Sequence, residues 1–329
     1  MDINSLTQSL EAYLENETGV ECHVIDLEEV NLGWETELFT FRSNGRGEQR
    51  NLVLRVFSGD QADEKVVKEY NLMRKLGEVG YPVPSVYHLD ASAEVIGKPF
   101  IIMERVIGET LEASYHKGSK EEMEEEITRL IRLLVDLHKL DISQFSKLPN
   151  LSIITIENLV GKFDVISKAH APWLSPVIDW LRKNKPMTSD NYALCHNDYH
   201  GLNVILDKDD NPYVIDWGAA GICDPRFDLA WTILLYTTFS DPLFRAPIIK
   251  IYNQLDGKTD YLEYFEVLAA TRRITDLVSV TSGGSEHGLK PEALEMMRNS
   301  RTHYIKVHDF LTERTGYRLK EFDELLESY

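Results

Sequence analysis

The chain has 329 residues and carries 54 acidic against 35 basic side chains, so its formal net charge at pH 7 is −19. Such acidity argues against a nucleic-acid partner, because nucleic-acid-binding proteins normally present a basic surface. The densest apolar run, LAWTILLYTTF, has 11 residues, well short of the roughly 20 that a membrane helix needs. The length exceeds the usual size of one hydrophobic core and indicates two lobes or two domains.

The cysteines and the amino-terminal residues bear on where the protein works. Cys22, Cys195 and Cys223 form neither a CxxC pair nor a Cys/His metal spacing, which is typical of a reducing compartment. The first twenty residues lack the basic and apolar regions of a signal peptide. We therefore expect a cytoplasmic protein with no membrane partner.

The amino-terminal part is rich in predicted strands. Asn44-Gly45 marks a hairpin between two of them. Residues 60–79 have helical periodicity, with Asp60 as a candidate cap and Gly80 and Pro82 as the stop. The β-type runs are residues 22–30, 38–43, 51–57, 85–90 and 99–106.

Beyond Gly108 the pattern becomes helical. Residues 120–141 place apolar side chains on one face, and helical patterns resume over 226–238 and 261–280. We therefore expect an amino-terminal lobe over residues 1–105, a hinge at about 103–108 and a helical lobe over 106–329. Such an arrangement favours a cleft between the lobes.

Four polar residues stand out in the otherwise apolar stretch LCHNDYHGLNVILDKDDNPYVIDWG, residues 194–218: His196, Asp198, Asn203 and Asp216. Asp198 and Asn203 follow the strand-like YALC, and Asp216 ends the strand-like PYVI. The short turn DKDDNP would bring Asn203 and Asp216 together, and two hard oxygen ligands suit Mg²⁺. Asp198 can then accept a proton from a bound hydroxyl, which predicts phosphoryl transfer.

Several stretches resemble the aminoglycoside phosphotransferase and choline kinase-like family. HNDYHGLN resembles its HxDxxxxN catalytic loop, VIDWG its metal-binding strand end and GICDPRFDLAW its GDPxxDLA segment. KPFIIMERVIGETL and EYNLMRKLGEVGYPVPSVY are also family-like, so the resemblance runs from about residue 25 to about residue 240. It implies an α+β, protein-kinase-like bilobal fold: an antiparallel sheet with one helix, then a larger, mainly helical lobe.

The resemblance also implies roles for individual residues of the loop. Asp198 matches the catalytic carboxylate, and Asn203 and Asp216 match the metal ligands. His196 matches a histidine that braces the backbone. Asp228 matches an acid that ties the following helix to the loop. His200 has no counterpart role, and a surface position is the simplest interpretation.

The nucleotide would be bound by residues of the amino-terminal lobe. Arg55, in LVLRV, stands where the family's phosphate-contacting lysine is usual; arginine keeps the charge but differs in reach and geometry. The loop NLGWETELF has one glycine instead of GxGxxG, a weak motif. The nucleotide-binding residues implied are Gly33, Arg55, Glu69 (the helix partner of the strand cation), and Met103, Glu104 and Val106 at the hinge.

The function implied is a kinase that uses ATP or GTP with Mg²⁺, two ions being expected with the nucleotide, and a small-molecule hydroxyl as acceptor. A protein kinase is disfavoured, because only seven residues separate Asp216 from Asp224 and no APE-like motif follows. A nucleotide-binding pseudokinase that acts as an interaction module stays open, because of Arg55 and the poor glycine loop.

The acceptor is the least predictable part, since residues of about 150–185 and 240–300 would hold it. The charge of −19 favours an amine-bearing compound over an anion. Glu263 and Glu266, at i and i+3, could face such an amine, although a solvated helix face is the simpler interpretation. Choline, homoserine, a sugar or a macrolide remain alternatives.

Overall fold

The structure is a computed structural model, and it describes residues 2–30, 36–45, 48–115, 120–187, 191–283, 295 and 299–328. The strands are β1 (His23–Val30), β2 (Thr36–Gly45), β3 (Glu48–Phe57), β4 (Val86–Asp90), β5 (Phe100–Glu104), β6 (Gly108–Thr110), β7 (Ala193–Cys195), β8 (Val204–Asp207), β9 (Pro212–Val214) and β10 (Gly221–Cys223). The helices are α1 (Ile3–Thr18), α2 (Ala62–Glu78), α3 (Leu111–Tyr115), α4 (Lys120–His138), α5 (Ile156–His170), α6 (Ser175–Lys183), α7 (Pro225–Leu235), α8 (Arg245–Gln254), α9 (Leu262–Gly283), α10 (Arg301–Thr315) and α11 (Lys320–Glu327). Among the described residues, no helix combines the length and apolar character needed to cross a membrane.

The chain divides into two compact units, and each of them is built from three separate stretches of the sequence. Unit 1 comprises Met1–Glu109, Lys147–Leu151 and Ile205–Gly218. Unit 2 comprises Thr110–Ser146, Ser152–Val204 and Ala219–Tyr329. Asp216 therefore belongs to unit 1, and Asp198 and Asn203 belong to unit 2.

Unit 1 is built on a five-stranded sheet in the order β1-β2-β3-β5-β4, with every neighbouring pair antiparallel. All five predicted strands and the helix between the third and fourth are present, which confirms their predicted order. In the β2–β3 hairpin, Gly45 lies opposite Glu48. The connection therefore falls at residues 46 and 47, outside the described residues, and Asn44-Gly45 lies in the strand.

A helix that the sequence analysis did not predict, α1, packs on this sheet. Asp2 caps it by accepting a hydrogen bond from the Ser5 N–H at 3.0 Å, and Gly19 ends it with a φ of +66°. Its Leu6, Leu10 and Leu14 are buried in one core cluster with sheet residues. Unit 1 therefore has two long helices where the family resemblance implied one.

Helix α2 begins differently from the prediction and ends as predicted. Its amino-terminal cap is Gln61, with a φ of +57° and no side-chain hydrogen bond, so the expected Asp60 cap is wrong. After Glu78 the chain turns through Gly80, at φ +81°, and the Tyr81 N–H bonds to the Leu76 carbonyl at 2.9 Å. A left-handed glycine of this kind is a common helix stop.

Short strands frame the segment of residues 194–218. The strand β7 pairs antiparallel with β10, and β6, β8 and β9 form a three-stranded sheet in the order β6-β8-β9. The Asp207 carboxylate closes the β8–β9 turn by accepting from the N–H groups of Asp209 and Asn211 at 2.8 and 2.9 Å. The strands predicted at YALC and PYVI are both present.

The rest of unit 2 is mainly helical. Helix α7 is buried along its whole length and packs against α9. The apolar face predicted for residues 120–141 is buried in α4, with Ile127, Leu130, Leu134 and Leu137 each at most 3% exposed. These helices form the core behind the predicted catalytic loop.

Helix α9 is anchored by a buried ion-pair cluster. The Glu266 carboxylate is 0% exposed and accepts from Arg245 Nε of α8 at 2.7 Å and from Arg314 Nε of α10 at 2.8 Å. Glu263, three residues earlier, is exposed. The expectation that Glu266 faces a cationic substrate, or solvent, is therefore wrong: two arginines already neutralise it, and it is shielded from solvent.

Replacing Glu266 with Ala should lower the free energy of unfolding by about 3–5 kcal/mol, because it leaves two arginines without their shared buried partner. Urea denaturation measures this difference. Glu263→Ala, on the exposed face of the same helix, is the matched control and should leave the unfolding midpoint unchanged. Equal effects of the two substitutions would contradict the anchoring role.

Candidate active site

The predicted catalytic loop is held by one buried carboxylate, that of Asp228 in the first turn of α7. Its two oxygens accept from the N–H groups of His196 and Asn197, both at 2.8 Å, and His138 Nε2 lies 3.2 Å from Oδ2. The His196 ring in turn accepts from the Asp198 N–H at 3.3 Å. Asp228 and His196 thus both contact the backbone of the loop, as the resemblance implied.

Asn197 has a strained backbone, with a φ of +63°. Such a conformation persists only where the surroundings hold it firmly. Besides the Asp228 contact, its Nδ2 donates to the Ala219 carbonyl at 3.2 Å, and the Cys223 thiol donates to its Oδ1 at 3.3 Å. The residue directly before Asp198 is therefore fixed through both its backbone and its side chain.

The Asp198 carboxylate is partly exposed, at 36% of its side-chain surface, and has specific partners. It accepts from the Trp231 indole N–H at 2.9 Å, and His200 Nε2 lies 3.8 Å away. Burial by itself would raise the pKa of Asp198. The nearby His200, the charge of Arg272 and the Trp231 N–H outweigh burial and hold that pKa well below its usual range.

Asn203 ends a single turn of 3₁₀ helix, Gly201–Asn203, which forms the last part of the loop. Its Nδ2 donates to the backbone carbonyl of Asp198 at 2.9 Å. The amide nitrogen is a donor only, so the amide oxygen is the atom that can serve as a ligand. Asn203 and Asp198 are thus linked directly within unit 2.

A second group of predicted residues meets within unit 1. Arg55 of β3 lies between two carboxylates: its Nη1 is 3.3 Å from Glu69 Oε1 of α2, and its Nη2 donates to Asp216 Oδ1 at 2.8 Å. Arg55 and Glu69 are 11% and 1% exposed, whereas Asp216 is 46% exposed. The pairing of the strand cation with the helix glutamate that the resemblance implied is present.

The strand end that carries Asp216 is fixed by its neighbours. The Trp217 indole donates to the Val214 carbonyl at 3.0 Å and packs edge-on against Tyr81, and Lys68 Nζ donates to the Gly218 carbonyl at 2.5 Å. Asp216 itself has a φ of +65°. Like Asn197, it adopts the left-handed backbone region, but Asp216 is itself one of the residues predicted to act.

The predicted hinge residues lie at and after the end of β5. Met103 is buried, and Val106 is half-buried. Glu104 forms two bonds with Ser85: its N–H donates to the Ser85 carbonyl at 2.8 Å, and its carboxylate accepts from the Ser85 N–H at 3.0 Å. Gly33 lies outside the described residues.

Three residues near Asp198 carry no functional prediction from the sequence. His200 is 19% exposed and lies beside Asp198, so the surface position expected for it is wrong. The sequence motifs assign no role to Trp231 or Arg272. The phase of α7 could have indicated Trp231, which lies one turn after Asp228, but no local signal distinguishes Arg272.

His138, Cys195 and Asp228 place potential metal-ligand atoms within 4.8 Å of one another. The Asp228 oxygens, however, already accept two backbone N–H groups, and burial raises the pKa of the Cys195 thiol well above its usual range. A protonated thiol is a poor ligand, because the thiolate is the form that binds metals. We interpret this cluster as a brace for the loop.

With this geometry in place, comparison with known proteins defines the family. The sequence profile of the phosphotransferase enzyme family matches residues 26–264. The chain belongs to this family. The match confirms the resemblance seen in the motifs, and it ends three residues into α9, before Arg272.

Solved structures show the same fold. A candidate aminoglycoside phosphotransferase from Ralstonia eutropha superposes with a TM-score of 0.67 at 19% identity, over 93% of this chain and 98% of that one. A thermostable mutant of an aminoglycoside phosphotransferase, in a ternary complex with ADP and hygromycin B, gives 0.62 at 18% identity, over 94% and 99%. These neighbours confirm the predicted kinase-like fold class.

The mouse acyl-CoA dehydrogenase family member 10 is 25% identical over 214 residues, which are 61% of this chain and 20% of the relative. The chain thus spans about a fifth of the length of the curated relatives that it matches first.

Gly201→Ala should slow turnover and lower the melting temperature. An added Cβ would lie 2.7 Å from the Tyr236 hydroxyl and 3.1 Å from the Glu112 backbone nitrogen, so the turn that carries Asn203 would have to shift. Overpacking of this kind costs about 1–3 kcal/mol. The control is Gly161→Ala in α5, where a Cβ meets nothing within 4 Å. It should raise the melting temperature slightly, because alanine favours a helix; equal losses in both variants would contradict the steric argument.

Proposed function

We propose that this protein is a small-molecule kinase that transfers the γ-phosphoryl group of ATP or GTP to a substrate hydroxyl. The observation that carries the proposal is the Asp198 carboxylate: partly exposed, held by Trp231 at 2.9 Å and joined to Asn203 through its own backbone carbonyl. Membership of the phosphotransferase family supports this reaction class. Asp198 is the proposed catalytic residue.

The surroundings of Asp198, which fix its carboxylate through the Trp231 N–H and hold its pKa below the usual range, suit an ionised and oriented carboxylate. It is ionised at neutral pH and accepts a hydrogen bond from the acceptor hydroxyl, which orients that oxygen towards the γ-phosphorus. The new oxygen–phosphorus bond forms as the bond to the β–γ bridging oxygen breaks, and the hydroxyl proton moves to Asp198. A loose transition state requires positioning more than a strong base.

The donor set fits Mg²⁺. We assign Asn203, through its amide oxygen, and the Asp216 carboxylate as ligands, since Mg²⁺ prefers oxygen and binds few protein groups beside phosphate and water. The resemblance implies two ions with the bound nucleotide. When bound, Mg²⁺ neutralises charge on the phosphate oxygens.

The nucleotide is proposed to be bound by residues of unit 1. Arg55 contacts phosphate, Glu69 holds Arg55 in place, and the hinge residues Met103, Glu104 and Val106 lie beside the base. Gly33 belongs to the proposed phosphate loop. The neighbour solved with ADP and hygromycin B supports nucleotide use by this fold.

The acceptor is proposed to be a small molecule with a free hydroxyl. The net charge of −19 and the exposed Glu263 favour an amine-bearing acceptor. Glu266 does not contribute to this argument, because it is paired with Arg245 and Arg314. Choline, homoserine and sugars are the alternatives to test. The discriminating experiment is ADP or GDP release with Mg²⁺ across aminoglycosides, macrolides, choline, homoserine, methylthioribose and simple sugars.

A nucleotide-binding pseudokinase is the second candidate. The observation in its favour is that Asp216, a proposed metal ligand, is paired with Arg55 at 2.8 Å. The presence of Asp198 and Asn203 in mutual contact favours the kinase. Phosphoryl transfer to any acceptor of the panel excludes the pseudokinase.

Asp198→Ala should reduce turnover by about 10²–10⁴-fold, which is the usual contribution of a positioned acid–base group. Nucleotide affinity should stay within a few-fold, because the proposed phosphate and base contacts are elsewhere. Coupled ADP release and calorimetry with Mg-ATP measure the two quantities. The isosteric Asp198→Asn is the matched variant and should be equally impaired; wild-type turnover in either would overturn the proposal.

Arg55→Met should raise KM for ATP by about tenfold or more, since a charge-assisted contact to phosphate is worth at least ~1.4 kcal/mol. Arg55→Lys restores the charge that the family usually carries here, and KM should return towards the wild-type value. Steady-state kinetics at saturating acceptor measure this. An unchanged KM in Arg55→Met would remove Arg55 from the nucleotide site.

A further inference from the structure

Arg272 of α9 contacts the catalytic loop along two routes. Its guanidinium carbon lies 3.9 Å from the centroid of the Trp231 ring, which is a close cation–π contact. Its Nη1 donates to the backbone carbonyl of Asn197 at 2.5 Å. Asp276, one turn further along α9, orients the guanidinium with its Oδ2 3.6 Å from Nε.

Both routes end at Asp198. The ring on which Arg272 stacks is the one whose N–H donates to the Asp198 carboxylate at 2.9 Å. The carbonyl that Arg272 holds belongs to the peptide that joins Asn197 to Asp198. Arg272 therefore restrains both the side chain and the backbone of Asp198.

The backbone route matters because Asn197 is strained. Its N–H, its amide nitrogen and its amide oxygen are held by Asp228, Ala219 and Cys223, respectively. The carbonyl is its remaining polar group, and Arg272 is the residue that holds it. Four partners, one of them from α9, thus hold the backbone of Asn197 at its φ of +63°.

We propose that Arg272 is a positioning residue for phosphoryl transfer: it fixes Trp231 and the Asn197 carbonyl so that the Asp198 carboxylate keeps its reactive orientation. This inference rests on the proposed function, because it takes Asp198 as the catalytic carboxylate. Arg272 acts through Trp231 and Asn197 and needs no contact with substrate.

Arg273 provides a matched comparison. It is the next residue of α9 and also stacks on an aromatic ring, that of Tyr304, with its guanidinium carbon 5.1 Å from the centroid. Its Nε donates to His303 at 2.9 Å. The contacts of Arg273 thus lead to α10 and to the Phe239 ring, 6.0 Å away beyond the end of α7, whereas those of Arg272 lead to the loop.

The first test reads the Trp231 indole N–H directly by two-dimensional ¹H–¹⁵N NMR of the full chain. Its resonance is identified by its loss in Trp231→Phe, which keeps a ring but removes the N–H. Asp198→Asn and Arg272→Met should each shift this resonance, and Arg273→Met should leave it in place. An unshifted resonance in a folded Arg272→Met would overturn the proposal.

The second test separates positioning from simple structural support. With Mg-ATP and the acceptor identified in the panel, or water as acceptor, Arg272→Met should lower kcat by about 10–100-fold, since a displacement of about 1 Å can cost 10²-fold. KM for ATP should stay within about threefold, and Arg272→Lys should recover part of the loss. In the Asp198→Asn background, Arg272→Met should have no further effect on the residual rate. Additive losses in that background, or a loss that appears only in KM, would contradict the proposal.

The outcomes distinguish this inference from the proposed function. An inactive Asp198→Asn with a fully active Arg272→Met would retain the kinase and remove the positioning role. An active Asp198→Asn would overturn the kinase assignment, and with it the catalytic meaning of Arg272, whatever the NMR result. If Arg272→Met does not fold, as judged by thermal melting, Arg272→Lys and Trp231→Phe supply the same comparisons.

Discussion

The geometry of the proposed catalytic loop depends on one interaction: the buried carboxylate of Asp228 accepts the consecutive N–H groups of His196 and Asn197. A fully buried carboxylate is stable only when its oxygens are satisfied by good donors. Two backbone donors and His138 meet that requirement, and in return the carboxylate dictates the direction of the chain entering Asp198. A local change in the loop, in the strand β7 or in the helix α7 would therefore leave buried polar groups unpaired.

The electrostatics around Asp198 favour an oriented anion over a strong base. Burial, which would make the carboxylate more basic, is outweighed by His200, Arg272 and the Trp231 N–H. A weakly basic carboxylate still serves phosphoryl transfer, because most of the acceleration there comes from positioning and from stabilising charge. The same donors that lower the basicity also restrict the carboxylate's orientation, so charge and geometry are set together.

What the sequence predicted well was local. The strands of unit 1 and the helix α2 follow from alternating and helical periodicity, and the loop motif placed Asp198, Asn203 and Asp216 at strand ends. Helix α1 was not predicted, although Leu6, Leu10 and Leu14 repeat at helical spacing; the sheet residues that bury these leucines lie further along the chain. The cap of α2 was misplaced because Asp60 is the better capping residue type, whereas the chain turns at a left-handed Gln61.

What the sequence could not predict depends on long-range packing. Glu266 looks like a surface acid until Arg245 and Arg314, from two other helices, converge on it. Trp231 and Arg272 reach Asp198 through contacts that no local pattern encodes. In each case a side chain acquires its partner only when helices far apart in the chain pack together.

Helix α9 carries two separate sets of contacts. Its buried face carries Glu266, which holds three helices together, and its loop-facing side carries Arg272. A chimera that took its carboxyl-terminal helices from a relative would replace α9. Such a graft would also exchange the support of the proposed catalytic loop, so we expect a chimera without an arginine in register to bind its new acceptor and turn over slowly.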